Sequence, residues 1–511
     1  MPFLSKRVFD WLAPLVGGLL TLSFAPFDVS YLVFIALIFL MASWQILTPG
    51  RAALRGGLFG LGLFGFGVSW VFVSIHEYGG AGLMGSILLT ALFVGFWALF
   101  PALTGYLSSS MVRLMAPAHN ALLLPSLWVL MEYFRGFWFL NGFPWFQIAY
   151  TQLDSPLAGY IPVLGVYGSS FIVALISACA AHVLQNKKDW LLYGSLIGGL
   201  WFGGGLLKDM QWTYPIGDGL KVSLIQGNIS QDQKWAPGNK SATLAKYRHM
   251  TEALWDSDIV IWPETAVPAY YRDVKEDFLE PLEQEAINYK ADIIVSLPMR
   301  SEQSDKNYNA VLVLGQTSGV YRKQHLLPFG EYLPLRPFSE YILNWAGIRL
   351  GRFLPGEADQ ELLVAAGYPF ITSICYEDAF GSQNISQLDE AAWLVNVTND
   401  AWFGRSIEPY QHMQIARMRA IESGRYMLRA TNTGVTGVIA PDGKVVKQAP
   451  VFTTSAITET IIPMGGVTPY ARIGDRFLIY LVAIGLISLI IINQLTPQVV
   501  KMRNRCDEQA R

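Results

Sequence analysis

Glu264, Lys323 and Cys375 are the side chains whose types and settings could together make and break a covalent bond. Cysteine chemistry needs a base to generate thiolate, a cation or hydrogen-bond donor to hold an oxyanion, and groups that orient both. Cys375 closes the apolar stretch Pro369-Phe370-Ile371-Thr372-Ser373-Ile374, after which Tyr376-Glu377-Asp378 turns polar, so it reads as a nucleophile at the end of a buried strand. Glu264 follows the run Asp258-Ile259-Val260-Ile261-Trp262, which Pro263 stops. Lys323 lies in Tyr321-Arg322-Lys323-Gln324-His325-Leu326-Leu327-Pro328-Phe329-Gly330-Glu331, beside a histidine and a second carboxylate. Singly these are weak signals, because a Glu or Lys at a strand end is usually solvated and a lone cysteine is usually a small core residue. Cys179 falls in an apolar segment and Cys506 beside another, which leaves Cys375 without a disulfide partner in the polar part of the chain.

The elements that must position these residues divide sharply by composition. Of 511 residues, 52% are hydrophobic and only 15% charged, too apolar for a wholly soluble protein of this length. The formal charge of -2 shows no basic excess, so no nucleic-acid partner is expected. Apolar segments of about 20 residues, enough for a helix to cross a hydrocarbon core, are placed at about 8–26, 29–47, 54–75, 83–107, 119–136, 159–185 and 190–207. An eighth lies at about 476–495. The first has Lys6 and Arg7 ahead of it but no small-residue cleavage site after it, and is expected to remain as a helix. With the N terminus in the cytoplasm, Lys6, Arg7, Arg51, Arg55, Arg113, Lys187 and Lys188 all fall on the cytoplasmic side, and the short loops on the other side carry only Arg135. The expectation is eight spans, both termini cytoplasmic, and residues 218–466 outside the cytoplasm. Three parts follow: 1–217 with seven helices, 218–466, and 467–511 with the eighth helix and a short tail. Glu132 and Arg135 are spaced to pair on one helix face, and the aromatic run 137–156 reads as an interfacial anchor or a substrate-lining segment.

Residues 218–466 have the pattern of an α/β domain. Strands are expected at 220–225, 258–262, 291–296, 310–314, 371–375, 393–397 and 435–440, with helices at 239–255, 274–289 and 409–424. Short, near-continuous apolar strands alternating with helices imply a sheet covered on its faces. Pro441-Asp442-Gly443-Lys444 marks a hairpin turn late in the domain.

Taken in order, Glu264 in Trp-Pro-Glu, Lys323 ahead of His-Leu-x-Pro-Phe-Gly-Glu, and Cys375 in Cys-Tyr-Glu resemble the Glu-Lys-Cys triad of the nitrilase, or carbon-nitrogen hydrolase, superfamily. Gln226-Gly227-Asn228, Lys234-Trp235, Asn399-Asp400-Ala401-Trp402-Phe403-Gly404, Gln411-His412 and Thr431-Asn432-Thr433-Gly434, together with eight spans, resemble the bacterial apolipoprotein N-acyltransferase family over essentially the whole chain. The resemblance implies an α-β-β-α sandwich beside a polytopic helical membrane domain in the inner membrane, with the sandwich in the periplasm. It implies acyl transfer from a phospholipid to the N-terminal amine of a diacylglyceryl apolipoprotein through a cysteine thioester, with no cofactor or metal. Glu264 would then be the base, Lys323 and the Tyr376 N–H the oxyanion donors, and Cys375 the nucleophile. Glu331 and Glu377 carry over as supporting residues and Trp235 as a binding-loop residue, while Tyr376 and Glu377 would also shape the turn behind the thiol. The alternative sharing the same triad is a membrane-tethered amidase acting on a small extracytoplasmic amide.

Past Glu331, the residues Phe338, Tyr341, Ile342, Trp345 and Ile348 recur at helical spacing in a segment leaving the catalytic stretch directly. They are expected to form a lid that dips into the outer leaflet and guides acyl chains, with Phe338, Tyr341 and Trp345 touching substrate. Replacing Phe338 and Trp345 with Ser is expected to slow phospholipid turnover more than turnover of a short soluble ester; equal loss on both substrates removes the lid.

Overall fold

The computed structural model describes residues 4–509 except 5, 237, 336, 338 and 342–352, with residues 139 and 495–509 described as backbone only. In hydrocarbon every backbone N–H and C=O has to be bonded within its own segment, so the apolar runs form helices. These are α1 (Val8–Thr21), α2 (Leu32–Trp44), α3 (Pro49–Gly67), α4 (Leu83–Val112), α5 (Asn120–Phe137), α6 (Ile161–Gln185) and α7 (Trp190–Lys208). Among the described residues, four helices are by length and composition able to cross a membrane: Leu83–Val112, Pro156–Gln185, Lys187–Lys208 and Pro469–Gln494. A fifth is the pair Pro49–Gly67 and Val71–Tyr78, if its 62° bend is one broken span. The chain is therefore a membrane protein with four or five candidate spans. Helices α1 and α2 are shorter, at 14 and 13 residues. Backbones meet closely here: a Cβ on Gly62 would collide with the Pro14 carbonyl, and one on Gly56 with that of Pro101.

Beyond the helical part the chain forms two six-stranded sheets. The first contains β1 (Leu220–Gln226), β2 (Ile259–Ile261), β3 (Asp292–Arg300), β4 (Asn307–Leu314), β5 (Gly319–Arg322) and β12 (Ser455–Ile461), in the order β12-β1-β2-β3-β4-β5. The second contains β6 (Leu363–Ala365), β7 (Tyr368–Ile374), β8 (Trp393–Thr398), β9 (Met427–Thr431), β10 (Gly437–Ile439) and β11 (Val445–Gln448), in the order β11-β10-β9-β8-β7-β6. Each sheet has three parallel strands at its heart, β1-β2-β3 and β7-β8-β9, flanked by antiparallel ones. Leu224, Ile261 and Val313 of the first sheet meet Phe370, Val395 and Leu428 of the second in a core between them. Helices α8 (Asn239–Glu252) and α9 (Glu280–Tyr289) cover the outer face of the first sheet, and α10 (Glu408–Ser423) that of the second. The result is an α-β-β-α sandwich, followed by α11 (Pro469–Gln509).

Helix α10 lies between the sandwich and the membrane helices. Met413, Ala416 and Ala420 face the second sheet, whereas Ile415, Met418 and Ile421 join the core of the membrane half. Several of its polar side chains are bonded across this boundary, as buried polar groups prefer to be. Gln411 Oε1 accepts from the indoles of Trp70 (3.0 Å) and Trp145 (2.8 Å), and its amide donates to Gly67 O. Ala25 N donates to Gln414 Oε1, Val166 N donates to Glu422 Oε1 at 2.8 Å, and Arg417 pairs with Asp154.

Three expectations need correction. Glu132 and Arg135 do not bond each other. Glu132 Oε1 accepts from Trp128 Nε1 and Ile148 N, while Arg135 donates to the carbonyls of Phe143 and Trp145. Both hold the 137–156 segment, in which Phe143, Trp145, Phe146 and Tyr150 are buried beneath the sandwich and do not stand at a surface as anchoring rings would, while Trp138 is 69% exposed. The expected helix at 274–289 is regular only from Glu280, after a wider turn over Lys275–Leu279. Gln411→Leu would strand two buried indole N–H groups at about 1–3 kcal/mol each, and is expected to lower the melting temperature of the detergent-purified protein clearly more than Gln414→Leu.

Candidate active site

Three strand ends converge on the site. Strand β2 stops because Pro263 has no N–H to continue the ladder, and Thr265, with φ of +48°, turns the chain while its N–H donates to Ser296 Oγ. This presents Glu264, 8% exposed, whose Oε1 accepts from Asn309 Nδ2 at 2.7 Å. Lys323 follows β5 directly; its backbone N–H donates to Asn309 O, and its buried Nζ donates to Glu331 Oε1 at 2.9 Å. Glu331 Oε2 accepts from Leu327 N at 2.8 Å, and Asn309 Nδ2 also lies 3.5 Å from Glu331 Oε1. Flipping the Asn309 amide would set its oxygen against two carboxylates, so the donor must face them. Glu264, Asn309, Glu331 and Lys323 thus form one hydrogen-bonded chain.

Cys375 comes immediately after β7 and has φ of +54°. For a residue with a Cβ this left-handed conformation costs about 1–2 kcal/mol, so neighbours must impose it. Asn396 Nδ2 donates to Cys375 O at 3.2 Å, and Ile374 N donates to Glu377 Oε2 at 2.8 Å. The thiol is half-buried. Burial pushes its pKa up to about 12, and the neighbouring Glu264 charge pushes the same way, against the pull of Lys323 and His412. Burial alone would lower Lys323, but Glu331 and Glu264 carry it well above the ordinary lysine value, so it stays cationic. Burial raises Glu264 above the usual carboxylate range, partly opposed by Lys323. The sequence-expected triad is therefore brought together: the charges of Glu264 and Lys323 both reach the thiol.

Glu377 has no exposed surface and accepts from Ile374 N, Gln324 N, His325 N, Tyr321 Oη and Gln383 Nε2. Tyr376 points towards the membrane half, its Oη donating to Gly142 O at 2.9 Å and its ring stacked 6.3 Å from Trp145. His325 donates Nε2–H to Asn141 O at 2.7 Å, and burial lowers its pKa to about 4, so it is a neutral brace and not a base. Trp235 is 52% exposed and Tyr341 75% exposed, neither held in a closed pocket, while Phe338 and Trp345 lie outside the described residues. An apolar cleft of about 250 Å³ is lined by Phe96, Phe134, Trp138, Leu140 and Leu335, between membrane helices and the segment after Glu331.

Sequence reasoning missed Asn309, Lys234, Asn396 and Arg429. Behind the thiol, Arg429 donates to Asn396 Oδ1 and pairs with Asp378 and Asp400. His412 sits between the same two aspartates, Nε2 2.9 Å from Asp378 and Nδ1 3.1 Å from Asp400. With a carboxylate at each ring nitrogen, His412 is an imidazolium; the aspartates raise its pKa well above normal despite burial and Arg429. The available signal was polar side chains inside apolar strands: Asn396 in Trp-Leu-Val-Asn-Val and the charged Arg429 in Met-Leu-Arg-Ala-Thr demand partners.

A cysteine at a strand end, a buried carboxylate and a buried lysine on an α-β-β-α sandwich define a carbon-nitrogen hydrolase type of domain. Residues 221–471 match the family described as Carbon-nitrogen hydrolase, and residues 16–179 match Apolipoprotein N-acyltransferase N-terminal domain. The chain belongs to the apolipoprotein N-acyltransferase family. It is 48% identical over 468 residues to the apolipoprotein N-acyltransferase of Methylococcus capsulatus, covering 91% of this chain and 92% of that one. It is 41% identical over 487 residues to that of Nitrosomonas europaea, covering 94% and 97%. Among solved structures, Saccharomyces cerevisiae Nit3, a member of branch 10 of the nitrilase superfamily, aligns with a TM-score of 0.38 and 18% identity over 50% of this chain and 93% of its own.

Because the resting thiol is held protonated, iodoacetamide is expected to alkylate Cys375 slowly at pH 7, with the rate rising about tenfold per pH unit into the alkaline range. Lys323→Met removes a cation that favours thiolate and should slow alkylation at every pH. Fast, pH-independent alkylation near neutrality would contradict both expectations.

Proposed function

We propose that this enzyme transfers a fatty acyl chain from a membrane phospholipid to the N-terminal amine of diacylglyceryl-cysteine apolipoproteins, through a thioester on Cys375. The observation that carries this is the Glu264–Asn309–Glu331–Lys323 chain set against the strained Cys375. Full-length similarity to apolipoprotein N-acyltransferases supports the acceptor class and disfavours the small-amide alternative.

Glu264 takes the Sγ proton as the sulfur attacks an ester carbonyl of the phospholipid. Lys323 Nζ and the Tyr376 N–H hold the tetrahedral oxyanion. Collapse breaks the ester C–O bond, and protonated Glu264 returns the proton to the departing lysophospholipid alcohol. In the second half the apolipoprotein α-amine attacks the thioester, Glu264 takes its proton, and collapse releases the amide and the Cys375 sulfur, which is reprotonated. A thioester is reactive enough towards an amine for no ATP to be needed. Glu331 orients Lys323, and Tyr376 and Glu377 hold the turn that aims the thiol. Trp235 and Tyr341 are exposed at positions suited to meeting substrate, and the cleft lined by Phe96 and Leu335 has the apolar character an acyl chain requires.

For the membrane arrangement we propose eight spans, with 1–217 carrying seven of them, 218–466 forming the periplasmic catalytic domain, and 467–511 returning the chain to a cytoplasmic tail. The support is the distribution of Arg and Lys between the loops.

Incubation with phospholipid is expected to add one acyl mass that hydroxylamine removes, read by intact-protein mass spectrometry; no hydroxylamine-labile adduct should form on Cys375→Ser. Glu264→Gln should slow adduct formation by about 10²–10⁴-fold. The acid limb of the rate should lie above the ordinary carboxylate pKa, because burial raises Glu264 and protonation at lower pH removes the base. Hydrolysis of a small amide without any adduct would overturn the proposal.

A further inference from the structure

Lys234 ends a short helical turn, Gln231–Lys234, that follows β1 and has no place in the mechanism above. Only 3% of it is exposed. Among the described residues its ammonium donates to one acceptor, the backbone carbonyl of Glu264, at 2.9 Å. A buried ammonium satisfied by one neutral carbonyl is costly unless a negative charge stands close by. That charge is the Glu264 side chain: the two groups act on each other electrostatically, and among the described residues Glu264 is the charge that acts on Lys234.

The turn is anchored so that the ammonium cannot swing away. Asn399 Nδ2 donates to Gln231 Oε1 at 2.9 Å, Asn432 Nδ2 donates to Asn399 Oδ1 at 2.9 Å, and Asn432 also brackets Ile229 through its N–H and its carbonyl. Opposite, Thr265 with its positive φ needs the preceding carbonyl held. One side chain therefore clamps the turn that carries the base and places a second cation beside it.

We infer that Lys234 is a positioning residue for the base Glu264, fixing its turn through the carbonyl and keeping its carboxylate ionised at the working pH. This rests on Glu264 being the base of the proposed acyl transfer. The charged groups facing Glu264 are Lys323 from the end of β5, Glu331 from the loop beyond, Lys234 from the turn after β1, and, when ionised, Cys375 from the end of β7. Lys323 is already engaged by Glu331, so removing Lys234 leaves Glu264 with a cation that a second carboxylate shares. Burial draws Lys234 down to about 8, the direction expected of an ammonium with so few partners.

The test is the pH dependence of thioester formation by the full-length enzyme in phospholipid–detergent micelles, read by intact mass under single-turnover conditions. Lys234→Met is expected to move the acid limb upward by about one pH unit, a tenfold smaller ionised fraction of Glu264 below its pKa. The phospholipid KM should not change. Lys234→Arg is expected to restore the wild-type limb. Should K234M not fold, K234Q, which keeps an N–H for the carbonyl without the charge, reads the same limb. An acid limb in K234M or K234Q that coincides with wild type overturns the inference, as does K234R behaving like K234M. A wild-type enzyme that forms no adduct overturns the acyl-transfer reading and this inference with it. Adduct formation by wild type, with the limb unmoved in the variants, overturns the inference alone.

Discussion

A carboxylate cut off from water has to find every hydrogen bond inside the protein, and Glu377 does so by gathering donors from separate parts of the catalytic domain. Ile374 N comes from the end of β7, Gln324 N and His325 N from the stretch carrying Lys323, Tyr321 Oη from β5, and Gln383 Nε2 from the turn beyond Cys375. The two sheets would otherwise be free to adjust relative to each other at their ends. With one buried carboxylate shared between them, Cys375 and Lys323 are placed in a fixed relation to each other. Such preorganisation is where most electrostatic catalysis originates.

The charges on the other side of the thiol act differently. His412, Arg429, Asp378 and Asp400 form a closed set in which cations and anions alternate at hydrogen-bond distance, reaching Cys375 through Asn396 and the backbone. Their main effect is geometric: they sustain a backbone conformation that a cysteine would not choose alone. Ionisation of the sulfur is opposed first by burial and by Glu264, and favoured by Lys323 and His412. Division of labour between a rigid back and a titrating front accounts for why His325, though beside Lys323 in sequence, is spent on the Asn141 carbonyl.

Much of this was legible in the residues. The strand ends before Glu264 and at Cys375 followed from Pro263 and from the change of character after Ile374, whereas the strand Gly319–Arg322 that leads into Lys323 was not among those expected. Strand β9 was not foreseen because Arg429 interrupts it, and the ion pairs that make a buried arginine tolerable come from residues distant in sequence. The burial of Phe143, Trp145, Phe146 and Tyr150 in the 137–156 segment was not legible for a related reason. Aromatic composition broken by Gly and Pro is shared by bilayer anchors and by loops covered by another domain, and only tertiary contact distinguishes them. Lys234 was visible as a letter beside Trp235, yet its burial depends on Asn399 and Asn432 pinning the turn from the far end of the chain.

Helix α10 has neighbours of two kinds, a β-sheet on one side and a helical bundle on the other, and almost none of it meets solvent. An outer helix facing water would present charge where this one presents Ile415, Met418 and Ile421 to the membrane half. For protein engineering the seam is correspondingly poor: excising the sandwich would uncover an apolar stripe studded with glutamines whose only partners were left behind.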